Sequence, residues 1–234
     1  MYDASWLGRV HAKKAYFSSH LSRSALRPPQ QTFWNQSRSI LETMAVKREV
    51  EIKFKIDDGQ RPAERLEVSG FQQITPRTHE MNTLYDLPGG RIRRRGALLR
   101  VRQYGDKWTI TYKDRSAVGR ARHKSRREIE TVVQDGQALA AILQALGFVP
   151  SFAYEKFRGE WSDGTGHVVV DETPIGNFGE IEGPPQWIDV VARRLGISKN
   201  QYITASYAEL FLAWKRRTKS KAGQMLFSEI RGTT

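Results

Sequence analysis

Glu49-Val50-Glu51-Ile52-Lys53 is the stretch on which the reading of this chain turns. In an extended chain residues i and i+2 share a face, so Glu49, Glu51 and Lys53 form one row while Val50 and Ile52 point the other way. The arrangement returns at Arg100/Arg102, Glu128/Glu130, Lys156/Arg158 and Glu180/Glu182, with Val101, Ile129, Phe157 and Ile181 between the charges. Like charges at that spacing repel, and an ordinary solvent-facing sheet avoids them by mixing signs. A surface that gathers rows of carboxylates and rows of cations suits a polyanion together with divalent metals.

Outward from that stretch, the strand is read over 47–56, and Asp57-Asp58-Gly59 turns into a short helix over 62–69. Strands are expected over 71–78, 80–86, 97–104 and 107–113, then a mobile basic loop over 114–124. The strand carrying Glu128 and Glu130 leads to Asp135, which can cap a helix ended by Gly147. Strands over 152–162 and 166–171 form a hairpin at Asp163-Gly164. The Gly176 to Gly183 stretch is followed by a helix over 187–195, and Thr204 is expected to cap a last helix to about Arg217, with Tyr207, Leu210, Phe211 and Trp214 as its core face. About eight strands, mostly neighbours in sequence, give an α+β protein with an antiparallel sheet. Closing that sheet removes its edges. The helices need apolar surface to cover, so the charged rows turn inward: a barrel with a hydrated, charged lumen and helices packed outside.

Composition fits a soluble globular chain. Its 234 residues are 39% hydrophobic and 27% charged, and no run reaches membrane length. There is no Cys, and the five His show no ligand spacing, so any metal must be held by carboxylates, which favours Mg²⁺, Mn²⁺ or Ca²⁺ over zinc. The absence of Cys also agrees with a reducing, cytoplasmic setting. The net charge of +13 is concentrated at the ends. Residues 1–45 hold six basic against two acidic residues (+4) and residues 215–234 six against one (+5), leaving +4 for the body. Both ends are read as solvated basic extensions, the first poorly ordered apart from a short helix over 37–45. Its composition suits an organellar presequence or an upstream start before a true start at Met44.

The run Glu49 to Lys53 is the Glu-x-Glu-x-Lys signature of the CYTH, or triphosphate tunnel metalloenzyme, superfamily. Later blocks are similar in the same order: Leu84-Tyr85-Asp86, Gly96 to Arg102, Trp108 to Lys113, Arg127 to Glu130, Tyr154 to Arg158, Asp171 to Gly176 and Phe178 to Gly183. The resemblance covers about 46–214 and implies an eight-stranded antiparallel tunnel that binds triphosphate with Mg²⁺ or Mn²⁺. It implies that Lys53, Arg100, Arg102, Lys113, Lys156 and Arg158 contact the phosphates, and that Glu49, Glu51, Glu130, Asp171, Glu180 and Glu182 serve the metals. Lys53, Glu128 and Glu130 are expected at the reaction itself. Bland readings remain for others: Arg127 as a loop charge, Asp171 as the start of a turn, the Arg91 to Arg95 cluster as a solvated turn.

Relatives in this superfamily include inorganic and thiamine triphosphatases, class IV adenylyl cyclases and RNA triphosphatases. The leading expectation is metal-dependent hydrolysis of a small triphosphate at its terminal anhydride. Conversion of ATP to cyclic AMP and pyrophosphate is the alternative. A non-catalytic polyphosphate or nucleotide-binding module, its basic ends touching nucleic acid, is the third reading.

Overall fold

The computed structural model describes residues 47–57, 61–114 and 123–230. The readings of 1–45 as an extension or presequence, of a helix over 37–45, and of most of the 114–124 loop lie outside them. Alternation on β1 (Lys47–Ile56) sets the architecture: Ile52, Phe54 and Ile56 are buried on one face while Glu49, Glu51 and Lys53 line a central cavity on the other. Seven more strands continue the wall: β2 (Gln72–Asp86), β3 (Leu98–Tyr104), β4 (Lys107–Lys113), β5 (Lys124–Val133), β6 (Val149–Ser162), β7 (His167–Thr173) and β8 (Gly176–Glu182). They close in the order β1-β5-β4-β3-β2-β6-β7-β8, every pair antiparallel, with β8 returning to β1. The expected closed α+β barrel is the fold.

Two stretches of outer wall are sheathed. Helices α1 (Pro62–Val68) and α4 (Pro185–Arg194) bring Leu66, Ile188, Val191 and Ala192 onto Ile52, Trp161, Val168 and Ile181. Helix α3 (Gly136–Ala145), capped by the Asp135 carboxylate, lays Leu143 on Val101. Gly179 faces Phe54 across the β1/β8 pair because a Cβ there would stand 2.0 Å from the ring. Burying these alternate residues is the main force that fixes which way the charged rows point.

The remaining cluster closes one end. Leu84, Phe152, Tyr154 and Phe178 belong by alternation to the inner face, yet they pack with Tyr207 and Phe211 of α5 (Tyr207–Thr218) and with Met225. The splayed strands are completed there by single bridges, Ile203 to Lys53 and Met225 to Tyr154. The reading of everything after 214 as a basic tail is therefore corrected for its described part. α5 runs on to Thr218, Ala222 and Met225 are buried, and a short α6 (Phe227–Ile230) donates the Phe227 amide to Glu155.

Two smaller expectations change, and the solvated turn expected at Arg91 to Arg95 is found, those arginines being exposed. β2 is one strand, not two; Pro76 lacks the ladder donor, and the register shifts around it between Thr75 and Thr78 rather than breaking the strand. The cap of α5 is Ser206, which with Glu209 forms a reciprocal capping box, and not Thr204. Arg91–Arg94 form a helical turn, α2, held by three backbone amides on the Asp86 carboxylate. No helix among the described residues is long and apolar enough to cross a membrane.

Candidate active site

Strand alternation delivers the charged rows to one cavity of about 450 Å³. Fifteen of its 21 lining residues are charged, and apart from Leu98, Tyr154, His167, Val169, Ser206 and Tyr207 nothing else contributes. Register adds a second rule to the rows. Where two inward charges face each other across strands they are opposite in sign: Lys53 with Glu180, Arg158 with Asp171, Lys113 with Glu128, Lys156 with Glu80, Glu49 with Arg126 and Glu51 with Lys124. The exception among the described pairs is Glu51 directly across from Glu182.

The cationic wall lies on β3, β4 and β6. Arg158 is bidentate on Asp171 at 2.7 and 2.6 Å and also reaches Glu180 at 2.6 Å. Lys156 donates to Asp171 at 3.0 Å. Arg102 spans both oxygens of Glu130 at 3.1 and 3.2 Å, and Arg100 donates to the Thr111 hydroxyl. Burial alone would lower the affinity of Lys53, Arg100 and Arg158 for their protons, but neighbouring groups raise it: Glu180 and Glu51 at Lys53, Tyr154 and Glu80 at Arg100, Asp171 and Glu180 at Arg158. Three permanent positive charges therefore stand in a poorly hydrated space, where their attraction for phosphate is least screened.

The carboxylate pole lies on β1, β5 and β8. Burial pushes Glu51 up, but Lys124, with Lys53 and Lys113, outweighs it and holds the carboxyl at about 2. Glu180 is held well below the usual range by Lys53, Arg158 and Lys156 against the same burial. Glu128 goes the other way: burial and the nearby Glu49 raise it despite Lys113 at 3.2 Å. Glu130 is lowered, since Arg102 and the Thr111 hydroxyl overcome its burial. Two carboxylates two residues apart on one strand are thus driven in opposite directions.

For a divalent cation the donor set fits: Glu49, Glu51, Glu180 and Glu182 are hard oxygen ligands on adjacent strands, and the like-charged Glu51/Glu182 pair calls for a cation between them. Among the described residues no three ligand side chains converge on a point, because cations of the chain already occupy them. Lys113 sits 2.5 Å from Glu49, Lys124 sits 2.6 Å from Glu51, and Lys53 bonds Glu180. Glu130 and Asp171 are committed to other partners. Glu130 belongs to Arg102, and Asp171, fully buried, is claimed by Lys156, Arg158 and the Tyr207 hydroxyl at 2.5 Å. Asp171 thus anchors the cationic wall, sharing Arg158 with Glu180, and does more than open a turn.

Several members of the site are not among the residues expected from the sequence, although Lys124 and Arg126 continue the period-two row of Glu128 and Glu130. Tyr207, expected as core, forms the floor of the cavity, its ring 4.3 Å from the Lys53 ammonium and 4.8 Å from that of Lys156. Lys124 and Arg126, from a run read as loop, are strand residues lining the cavity, whereas Arg127 is on β5 but faces solvent. Glu160 lines the cavity and Glu80 is buried behind it. A carboxylate in isolation gives no i, i+2 row to notice.

Residues 47–207 match the family model of the CYTH domain. The chain belongs to the CYTH family. A Methanocaldococcus jannaschii protein named "putative adenylate cyclase" is 30% identical over 173 residues, covering 69% of this chain and 97% of its own. Among solved structures, the PH1012 protein of Pyrococcus horikoshii superposes with a TM-score of 0.59 at 25% identity, over 69% of this chain and 98% of its own. A Hippeastrum protein described as a "putative adenylyl cyclase" that reveals a dominant triphosphatase activity shares the fold, with a TM-score of 0.53 at 20% identity over 70% of this chain and 95% of its own. CYTH proteins of this kind are triphosphatase or cyclase-like enzymes, and the solved neighbours share the fold of this chain.

Proposed function

We propose that this protein hydrolyses a small triphosphate, inorganic or organic, at its terminal phosphoanhydride, with Mg²⁺ or Mn²⁺ as cofactor. The observation that carries the reading is one cavity walled by Arg100, Arg102, Lys156 and Arg158 on one side and by the Glu49, Glu51, Glu180 and Glu182 carboxylates on the other. Triphosphate carries about four negative charges, and guanidinium and ammonium groups aimed from several strands neutralise them pairwise. The carboxylate pole would hold the divalent cation, which supplies charge neutralisation of the phosphates and activation of water.

The chain's own part follows from its charges. Lys53, Lys113 and the arginines draw phosphate oxygens and meet the charge that develops on the departing diphosphate. Glu128, raised in proton affinity, takes the proton of the attacking water as the new P–O bond forms and the anhydride P–O bond breaks. Glu130, held ionised, keeps Arg102 aimed. The products are orthophosphate and the shortened phosphate.

The name of the M. jannaschii relative supports a second reading, cyclisation of ATP. Against it stands the lining: a nucleobase needs an apolar or aromatic slot, and the six uncharged lining residues include only two aromatics, one of them committed to Asp171. A small-molecule triphosphate is thus the proposed partner, with no role for nucleic acid. The test is product identification with triphosphate, ATP and thiamine triphosphate under Mg²⁺ or Mn²⁺. Orthophosphate is the expected product; pyrophosphate with cyclic AMP would establish the cyclase.

A further inference from the structure

Glu80 faces Lys156 as the register rule requires, but it is held differently from the other carboxylates. It is fully buried on β2, beside three cations, yet bonded to none of them: Lys156 is 3.4 Å away, Arg158 3.9 Å and Arg102 4.0 Å. Its one hydrogen bond comes from the Asn82 amide at 2.9 Å, and both Glu80 Oε2 and Asn82 Oδ1 are buried without a hydrogen-bond partner among the described residues. Asp171, on the far side of the same cations, is saturated by Lys156, Arg158 and Tyr207. Asp171 fixes where the cations point. Glu80 gives them negative charge and almost no direction.

A buried carboxylate with an orphaned oxygen is costly, and its position opposes the binding of any anion to the wall in front of it. Its sign decides the balance of the site. The cavity lining holds eight cations against seven carboxylates, and Glu80 and Asp171 behind it bring the carboxylates to nine. A bare ligand of about four negative charges gains little from such a nearly neutral site, whereas a ligand already carrying a divalent cation meets less opposition.

We propose that Glu80, set by Asn82, is a specificity-determining residue: it acts through its charge on Arg102, Lys156 and Arg158 and makes the site reject free polyphosphate in favour of the cation-loaded form. The inference rests on the reading of the cavity as a polyphosphate site and adds what selects the ionic form of the ligand. Substrate need not touch Glu80, which lies behind the cations.

Calorimetric titration of the full chain with a non-hydrolysable imido analogue of inorganic triphosphate, once in EDTA and once with Mg²⁺, tests it without turnover. Wild type should bind the Mg²⁺ form much more tightly than the free form. In Glu80→Gln the Kd for the free analogue should fall at least about tenfold, the Kd for the Mg²⁺ form should change less, and the preference for the loaded form should shrink. Asn82→Asp, which adds a second carboxylate beside the first, should weaken binding of the free analogue further and enlarge the preference; it carries the test if Glu80→Gln does not fold. A Glu80 role in packing alone would lower the melting temperature and leave the ratio of the two Kd values at the wild-type value, and that result overturns the inference. Wild type that binds the analogue in neither condition would overturn the reading of the cavity itself, and this inference with it.

Discussion

The two walls of one barrel solve charge crowding in different ways. On β3, β4 and β6 every cation has a carboxylate facing or backing it, so the cationic wall is self-neutralised and held rigidly by Asp171 and Glu130. On β1 and β8 the register sets Glu51 against Glu182, like against like, and Lys124 of the neighbouring strand bonds Glu51. One wall is complete, every cation matched by a carboxylate; the other opposes two carboxylates. A rigid cationic wall suits phosphate oxygens, whose positions are fixed by covalent bonds, while opposed carboxylates offer hard oxygen ligands that a metal can take in place of lysine.

The comparison breaks most visibly through substitutions at the wall of opposed carboxylates. Glu51→Gln should reduce Mg²⁺-dependent phosphate release by on the order of 10³-fold while leaving the circular dichroism spectrum intact, since one of two opposed carboxylates is removed. Retained turnover would move the metal elsewhere. At the complete wall, Arg102→Ala should lower kcat/KM by on the order of 10²-fold with a small change in melting temperature, because Glu130 remains partly solvated and bonded to Thr111. Its neighbour Val101 points outward under α3, so Val101→Asp should instead cost roughly 3 to 5 kcal/mol of stability in denaturant titration by burying an unpaired charge. If the two variants exchange effects, β3 faces the other way.

The plugged end offers a third contrast. Ending the chain after Thr218 removes Met225 and its bridge to Tyr154, so the melting temperature should fall by several degrees even though no cavity-lining residue is lost. An unchanged melting temperature would restore the tail reading. The smallest effect is in acid. Glu51 is held at about 2 against an ordinary 4.5, so the stability it contributes is fully present above pH 4.5 and is lost as pH falls through that window toward 2. Wild type should therefore lose stability between pH 4.5 and 2 more steeply than Glu51→Gln, read from urea midpoints at each pH.

These walls were visible in the sequence to unequal degrees. The rows Glu49/Glu51, Arg100/Arg102 and Glu180/Glu182 are local patterns of period two, and the apolar residues between them dictate the fold by burial, so barrel and lumen were both legible. What backs the rows was not. Glu80 stands in Glu80-Met81-Asn82 with no like-charged neighbour, and its place under Arg102 and Lys156 comes from strands 22 and 76 residues away in the chain. Tyr207 shares the helical spacing of Leu210, Phe211 and Trp214, and periodicity cannot tell which turn of α5 meets the cavity. Met225 follows a polar, basic stretch whose composition hides that one side chain is wholly buried.

The claim at the centre of this account is that the β1/β8 wall holds the divalent cation and the β3/β6 wall does not. Titration of Mn²⁺ followed by electron paramagnetic resonance counts bound metal directly, without substrate or turnover. Wild type and Arg102→Ala should each remove free Mn²⁺ from solution with the same affinity, and Glu51→Gln should weaken that affinity by at least about tenfold, the loss of one ligand charge. Mn²⁺ bound by Glu51→Gln as tightly as by wild type would contradict it.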